Sequence, residues 1–112
     1  DTLSPGFSSP WAGSNRDPGL RVVLPTARLL QLSWGPVETS WHDYASANSN
    51  DVGDMATVLD TRERVANILQ HEIEKLGGRS DQVFLGGLSQ GCTAALDVYL
   101  MEGSRLGLGG FV

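Results

Sequence analysis

The chain has 112 residues, 40% of them hydrophobic and 19% charged, the proportions of one small globular domain with a single core. Its formal charge of −5, with no block of Lys or Arg, lacks the electrostatic footprint that a phosphate backbone demands, so nucleic acid is not an expected partner. No apolar run reaches the ~18 residues of a spanning helix, the first residues lack the basic and apolar regions of a signal peptide, and Cys92 alone permits neither an internal disulfide nor a cysteine metal cluster. A reducing, cytoplasmic setting fits that cysteine usage.

Residues 1–20, DTLSPGFSSPWAGSNRDPGL, are rich in Pro, Gly, Ser and Asn and read as loop. Arg21 to Pro25, RVVLP, is a β-branched run stopped by proline, the pattern of a buried strand. From Thr26 to Leu59 no period is visible and turn formers recur at Gly35-Pro36, Asn48 to Asn50 and Gly53, so a long irregular segment, functional or disordered, is expected there. Order returns at Asp60, whose spacing to Glu63 is that of a capping box. Val65, Ile68, Leu69, Ile73 and Leu76 then repeat at helical intervals up to Gly77-Gly78.

Asp81 to Gly87, DQVFLGG, is apolar enough for a strand covered on both faces. A second helix follows from Gln90 to about Glu102, and GLGGFV begins a third strand. Strand alternating with helix predicts an α/β chain whose parallel sheet is joined by crossover helices. Three strands make a thin sheet, so residues 1–112 read as a single incomplete domain, with 21–112 holding its central strands and helices.

Gly87-Leu88-Ser89-Gln90-Gly91 is a G-x-S-x-G element placed after the expected strand and before the expected helix. At such a joint the glycines allow a tight, strained turn that pushes the serine hydroxyl outward at the carboxyl edge of the sheet, the arrangement of a nucleophile elbow. On this reading a side chain at either Gly87 or Gly91 would collide with the neighbouring strand or helix.

The segment VFLGGLSQG resembles the nucleophile segment of the acyl-protein thioesterase, lysophospholipase and carboxylesterase family of α/β-hydrolases, an apolar strand followed by G-G-F-S-Q-G-G. VVLPTA, Val22 to Ala27, is similar to that family's strand ending in Pro-His-Ala, and SWHDY, Ser40 to Tyr44, to its Ser-Trp-Phe-Asp segment. The helix leading into GGRSDQVFLGG matches as well, so the likeness covers nearly all of Arg21 to Val112, and it places Asp1 at the end of the family's His-Gly-x-Gly-Asp turn. The resemblance implies a partial α/β-hydrolase fold and a serine hydrolase of acyl thioesters or carboxylic esters. Ser89 is then the nucleophile, the backbone N–H of Gln90 an oxyanion donor, and Trp41 and Leu88 substrate contacts. It implies no cofactor and no metal; the partners it suggests are an acylated protein, a lysophospholipid or a small ester.

The chain departs from the family in one respect that matters for chemistry. In this fold the acid and the histidine follow the serine, yet no histidine follows Ser89, and its only later acids are Asp97, inside the expected helix, and Glu102. Both partners are therefore expected beyond Val112. His42 adjoins Asp43, but sequence neighbours rarely orient each other as a base and its orienter must be, so His42 reads as a loop residue. His71 falls off the apolar stripe and reads as solvated, Cys92 as a small residue under the elbow, and Trp11, Trp34 and Trp41 first as packing residues. Asp60, Glu72 and Glu74 read as a cap and a solvated helix face. The missing histidine also leaves open a rival: a catalytically inactive module that binds an acylated partner or associates with itself through its sheet edges.

Overall fold

The computed structural model describes residues 19–48 and 53–112. The loop expected over residues 1–20 lies outside them except for Gly19 and Leu20, as do Trp11 and Asp1.

Between Thr26 and Leu59, where the sequence shows no period, the chain folds into a hairpin. Strand β1 (Leu29–Gln31) runs antiparallel to β2 (Val37–Thr39), with Leu29 opposite Thr39, Leu30 opposite Glu38 and Gln31 opposite Val37. The Ser40 N–H donates to the Arg28 carbonyl at 2.9 Å and extends the pair. Trp34, in the connecting turn, is 62% exposed, which corrects its reading as a packing residue. Residues 21–25, expected as a buried strand, join no ladder among the described residues. A strand needs a partner's row of N–H and C=O groups, and apolar composition does not say where that row is.

Helix α1 (Met55–Lys75) starts earlier than its periodicity suggests. Its cap is Asp54, whose carboxylate accepts the Thr57 N–H at 3.1 Å, satisfying one of the orphan donors of the first turn. Asp60, expected to be the cap, lies inside the helix and pairs with Arg28 at 2.8 Å. Val65, Leu69 and Ile73, four residues apart, form the buried stripe together with Thr61 and Ala66. The helix stops at Gly77 and Gly78, with φ 68° and 89°, where the Gly78 N–H reaches back to the Ile73 carbonyl at 3.0 Å.

A 3₁₀ turn at Ser80–Gln82 leads to β3 (Phe84–Leu85), α2 (Gln90–Leu106) and β4 (Gly110–Phe111). Strands β3 and β4 are parallel, with Phe84 opposite Gly110 and Leu85 opposite Phe111, so α2 is a crossover helix. Bonds from Gly109 N–H to the Val83 carbonyl and from Val112 N–H to the Leu85 carbonyl, both 2.8 Å, lengthen the pairing. The chain is thus α/β as expected, but the parallel sheet among the described residues has two strands, not three. Phe84, expected to be covered on both faces, is 60% exposed.

Val65, Leu69 and Ile73 of α1 meet Val98 and Leu106 of α2, and Trp41, Val83, Leu85 and Leu108 pack around them. One polar clasp ties the same two helices together: Arg62 grips Asp97 through two bonds of 2.9 Å. The Asp97 carboxylate holds the Arg62 guanidinium above its usual pKa. With side chains only 20% and 28% exposed, this pair lies between a surface bridge and a buried one. Arg62→Met is expected to lower stability by about 1–2 kcal/mol in urea unfolding, because Asp97 is left without its fork. An unchanged midpoint would show that water replaces the guanidinium at no cost.

Candidate active site

The joint between β3 and α2 carries an abrupt change of backbone direction. Ser89 has φ 56° and ψ −126°, and among the described residues it alone combines a side chain with a positive φ. A Cβ is crowded there, so the conformation persists only because the strand before it and the helix after it over-determine it. Ser89 is exposed, and its hydroxyl makes no hydrogen bond among the described residues. The turn is tied by Gly91 N–H to the Leu88 carbonyl and by Cys92 N–H to the Ser89 carbonyl, both 2.9 Å, with Thr93 N–H on the same oxygen at 3.3 Å. The Gln90 N–H, first in the helix, finds no acceptor among the described residues and remains a free donor next to Ser89.

The two glycines of the motif differ. A Cβ on Gly87 would overlap the Gly91 carbonyl and stand 2.7 Å from the Cys92 nitrogen, so backbone presses on backbone and nothing larger fits. On Gly91 a Cβ would meet only the Trp41 indole nitrogen, at 3.6 Å, an ordinary contact. The expectation that both glycines are sterically required is corrected at Gly91, because that residue lies within α2 and a Cβ there meets nothing closer than ordinary van der Waals distance.

Trp41 is half-buried, packs on the core and stands over Gly91. Its segment, Ser40 to Tyr44, is held from three sides. From α1, the Thr61 hydroxyl donates to the Trp41 carbonyl and Thr57 Oγ1 accepts the Asp43 N–H at 2.8 Å. From the hairpin, Ser33 donates to the Asp43 carboxylate through both its N–H and its hydroxyl. From α2 comes the Gln90 side chain. Its Oε1 accepts the Trp41 N–H at 2.9 Å, while its Nε2 has the Ser40 hydroxyl at 2.9 Å, the Tyr44 hydroxyl at 3.0 Å and the His42 carbonyl at 3.2 Å within reach. Sequence reasoning gave Gln90 only a backbone role, since nothing in the letters shows that residues 46 to 50 positions apart meet here.

Neither histidine is brought to the serine by a hydrogen bond. His42 Nδ1 bonds the Asp43 carbonyl at 2.7 Å and its ring meets Tyr44 edge-on, while His71 is exposed on α1. Asp43 does not orient His42: hydrogen bonds from the Ser33 hydroxyl, then from the Tyr44 and Ser33 backbone N–H groups, hold its carboxyl below the ordinary 3.8. His42 and Asp97 border one small cavity of about 160 Å³, but both Asp97 oxygens belong to Arg62. Glu72, expected as a solvated helix residue, is only 17% exposed and is shared by Arg21 and Lys75. Burial raises its pKa, but hydrogen bonds from Arg21 and Lys75, with their charges, outweigh that and leave it lowered.

The lowered Asp43 carboxyl has a consequence in acid. Its folded value lies below the unfolded one, so its contribution is complete above the ordinary 3.8 and is lost as pH falls through the folded value. Exchange of the Tyr44 amide, which Asp43 Oδ1 accepts at 2.8 Å, is expected to accelerate on acidification below that ordinary value, beyond the intrinsic pH trend. In Asp43→Asn the extra acceleration is expected to vanish; its persistence would assign it to another carboxylate.

A groove of about 900 Å³ runs from residues 20–25 over Leu69 and along β3 to Leu88, Gly91 and Trp41. Phe84 and Leu85 of β3 line it, as does Leu88, which is 88% exposed and directly precedes Ser89. Among the described residues no three His, Cys, Asp or Glu side chains gather as metal ligands would, and no helix is long and apolar enough to cross a membrane.

Residues 16–112 match the phospholipase/carboxylesterase family, and the chain belongs to it. Among relatives, it is 32% identical to acyl-protein thioesterase 1 homolog 1 of Dictyostelium discoideum over 82 residues, which is 71% of this chain and 35% of that protein. It is 28% identical to acyl-protein thioesterase 1 of Yarrowia lipolytica over 91 residues, 79% of this chain and 40% of that protein. The chain thus spans well under half the length of these relatives. No solved structure matches it. Membership implies the α/β-hydrolase fold, and the two-stranded parallel sheet with its crossover helix is compatible with a part of it.

Proposed function

We propose that the protein is a serine hydrolase of acyl thioesters or carboxylic esters that works through an acyl-enzyme on Ser89. The observation that carries this reading is the exposed Ser89 at φ 56°, thrust from a turn in which Gly87 lies against the backbone of Gly91 and Cys92. The hydroxyl oxygen attacks the acyl carbonyl carbon, its proton passes to a base, and the oxygen that becomes negative is met by the Gln90 N–H. One such donor is worth roughly 3 kcal/mol in the transition state, and here it has no acceptor among the described residues. The leaving thiol or alcohol takes the proton, and water then hydrolyses the acyl-serine. The base and its acid are contributed by residues outside this chain, a reading supported by the relatives' greater length and by the separation of His42 and Asp97 into other bonds.

The two thioesterase relatives favour an acylated protein as substrate, with removal of a fatty acyl group in the cytoplasm as the setting; a lysophospholipid or a small ester uses the same residues. Trp41 and Leu88 are the proposed walls for the acyl group, as both line the groove, Leu88 directly precedes Ser89 and Trp41 stands over Gly91. The test is a fluorophosphonate probe on the full-length protein, followed by peptide mass spectrometry, with the adduct expected on Ser89. An adduct on any other residue overturns the assignment.

A second reading, self-association, is favoured by an edge of β3 that has no strand partner among the described residues and by the exposure of Phe84, Leu88 and Val112. An inactive oligomer of the 112-residue chain in sedimentation would support it; a monomer would remove it.

A further inference from the structure

We propose that the side chain of Gln90 is a positioning residue: it locks the Ser40–Tyr44 segment onto the first turn of α2, so that the Trp41 wall and the Gln90 N–H beside Ser89 move as one body. The inference rests on the hydrolase reading for its consequence in catalysis, and on hydrogen-bond geometry for the lock itself.

One primary amide has four groups within reach, and the shortest of these contacts assign its acceptor and its two donors. The Trp41 N–H needs an acceptor, which fixes Oε1 on that side at 2.9 Å. The Ser40 hydroxyl gives its only hydrogen to the His42 carbonyl at 2.7 Å and so accepts from Nε2 at 2.9 Å. The second Nε2 hydrogen goes to the Tyr44 hydroxyl at 3.0 Å. Turning the amide over would set its NH₂ against the Trp41 N–H, donor against donor, so the orientation is unique.

No other side chain of this length reproduces the set. Glutamate brings no donor for the Ser40 hydroxyl, and methionine fills the space but leaves the Trp41 N–H without its acceptor and takes one donor from the buried Ser40, 6% exposed, which keeps only its bond to the His42 carbonyl. The lock also reaches further than its own bonds. Asp43 joins the same segment to the hairpin through Ser33, and Thr61 joins it to α1, so the Gln90 side chain adds a direct tie from α2 to a segment already fixed on two other sides. Trp41 rests over Gly91, one residue along from Gln90, and a loosened segment releases that wall from the turn that presents Ser89.

The experiment compares the full-length protein with its Gln90→Met variant in two measurements. Amide exchange at Trp41 is expected to accelerate about tenfold in the variant, the effect of losing one hydrogen bond of ordinary strength. The ratio of kcat/KM for a long-chain to an acetyl ester is expected to fall severalfold, because a wall that moves discriminates chain length less, whereas a merely structural role would lower both substrates alike. Tyr44→Phe and Ser40→Ala, which keep Gln90 and each remove one acceptor of Nε2, are expected to shift both measurements in the same direction by a smaller factor, and they decide the matter if Gln90→Met does not fold. Unchanged Trp41 exchange overturns the lock, and faster exchange with an unchanged chain-length ratio overturns its positioning role. A parent protein that no fluorophosphonate labels, but whose Trp41 amide still loosens in Gln90→Met, overturns the hydrolase reading and supports the lock.

Discussion

Ser89→Ala in the full-length protein is expected to lower turnover of an activated ester or thioester by about four to six orders of magnitude and to abolish fluorophosphonate labelling. The size follows from what the change removes and what it leaves. The proposed nucleophile goes, and with it the proposed covalent route, but the Gln90 N–H and the groove-lining Trp41 and Leu88 remain, so a residual acceleration over water is expected to persist. Alanine carries the same Cβ at the same strained φ, so the fold should tolerate it, and the unfolding midpoint serves as the control. Retained labelling, with the adduct at a different side chain, would remove Ser89 from the mechanism.

The second large effect is expected at Gly87. Gly87→Ala forces a methyl into the Gly91 carbonyl and the Cys92 nitrogen, groups held by the turn's own hydrogen bonds and unable to swing aside. Overpacking against a rigid backbone costs about 3 kcal/mol or more, and relief requires the turn to open, which withdraws the serine from its exposed position. Gly91→Ala is the internal comparison: its Cβ meets only the Trp41 indole nitrogen at 3.6 Å, and a helical position gains about 0.5–1 kcal/mol when glycine becomes alanine. Urea unfolding of the two variants should therefore give shifts of opposite sign. Equal losses would mean that the turn does not close on Gly87.

How far the letters carried the reading varies with the range of the forces involved. Helix α1 was legible through Val65, Leu69 and Ile73, because a buried stripe is written in the local period. Its start was not: Asp60 and Glu63 have the spacing of a capping box, but Asp54 caps instead, using Thr57 as partner, and the first five residues include the exposed Met55 and Leu59 that break the stripe. The crossover from β3 through α2 to β4 was legible because strand, turn and helix follow one another directly. The hairpin of β1 and β2 was not, since its strands of three residues are mostly exposed and show no alternation. At the site, the bend at Ser89 was readable from its glycines. The convergence of Gln90 on Ser40, Trp41 and Tyr44 was hidden, because hydrogen bonds across such separations leave no periodic trace.

Ser89 also bears on what folding by itself would favour. At φ 56° an achiral residue would relax there, while an L-amino acid carries a local penalty of about 1–3 kcal/mol. Thermostability and chemistry therefore pull this position in opposite directions: a library screened only for heat resistance should drift toward glycine at 89 and discard the hydroxyl. The proposed nucleophile is a residue that the domain, left to its own thermodynamics, would replace.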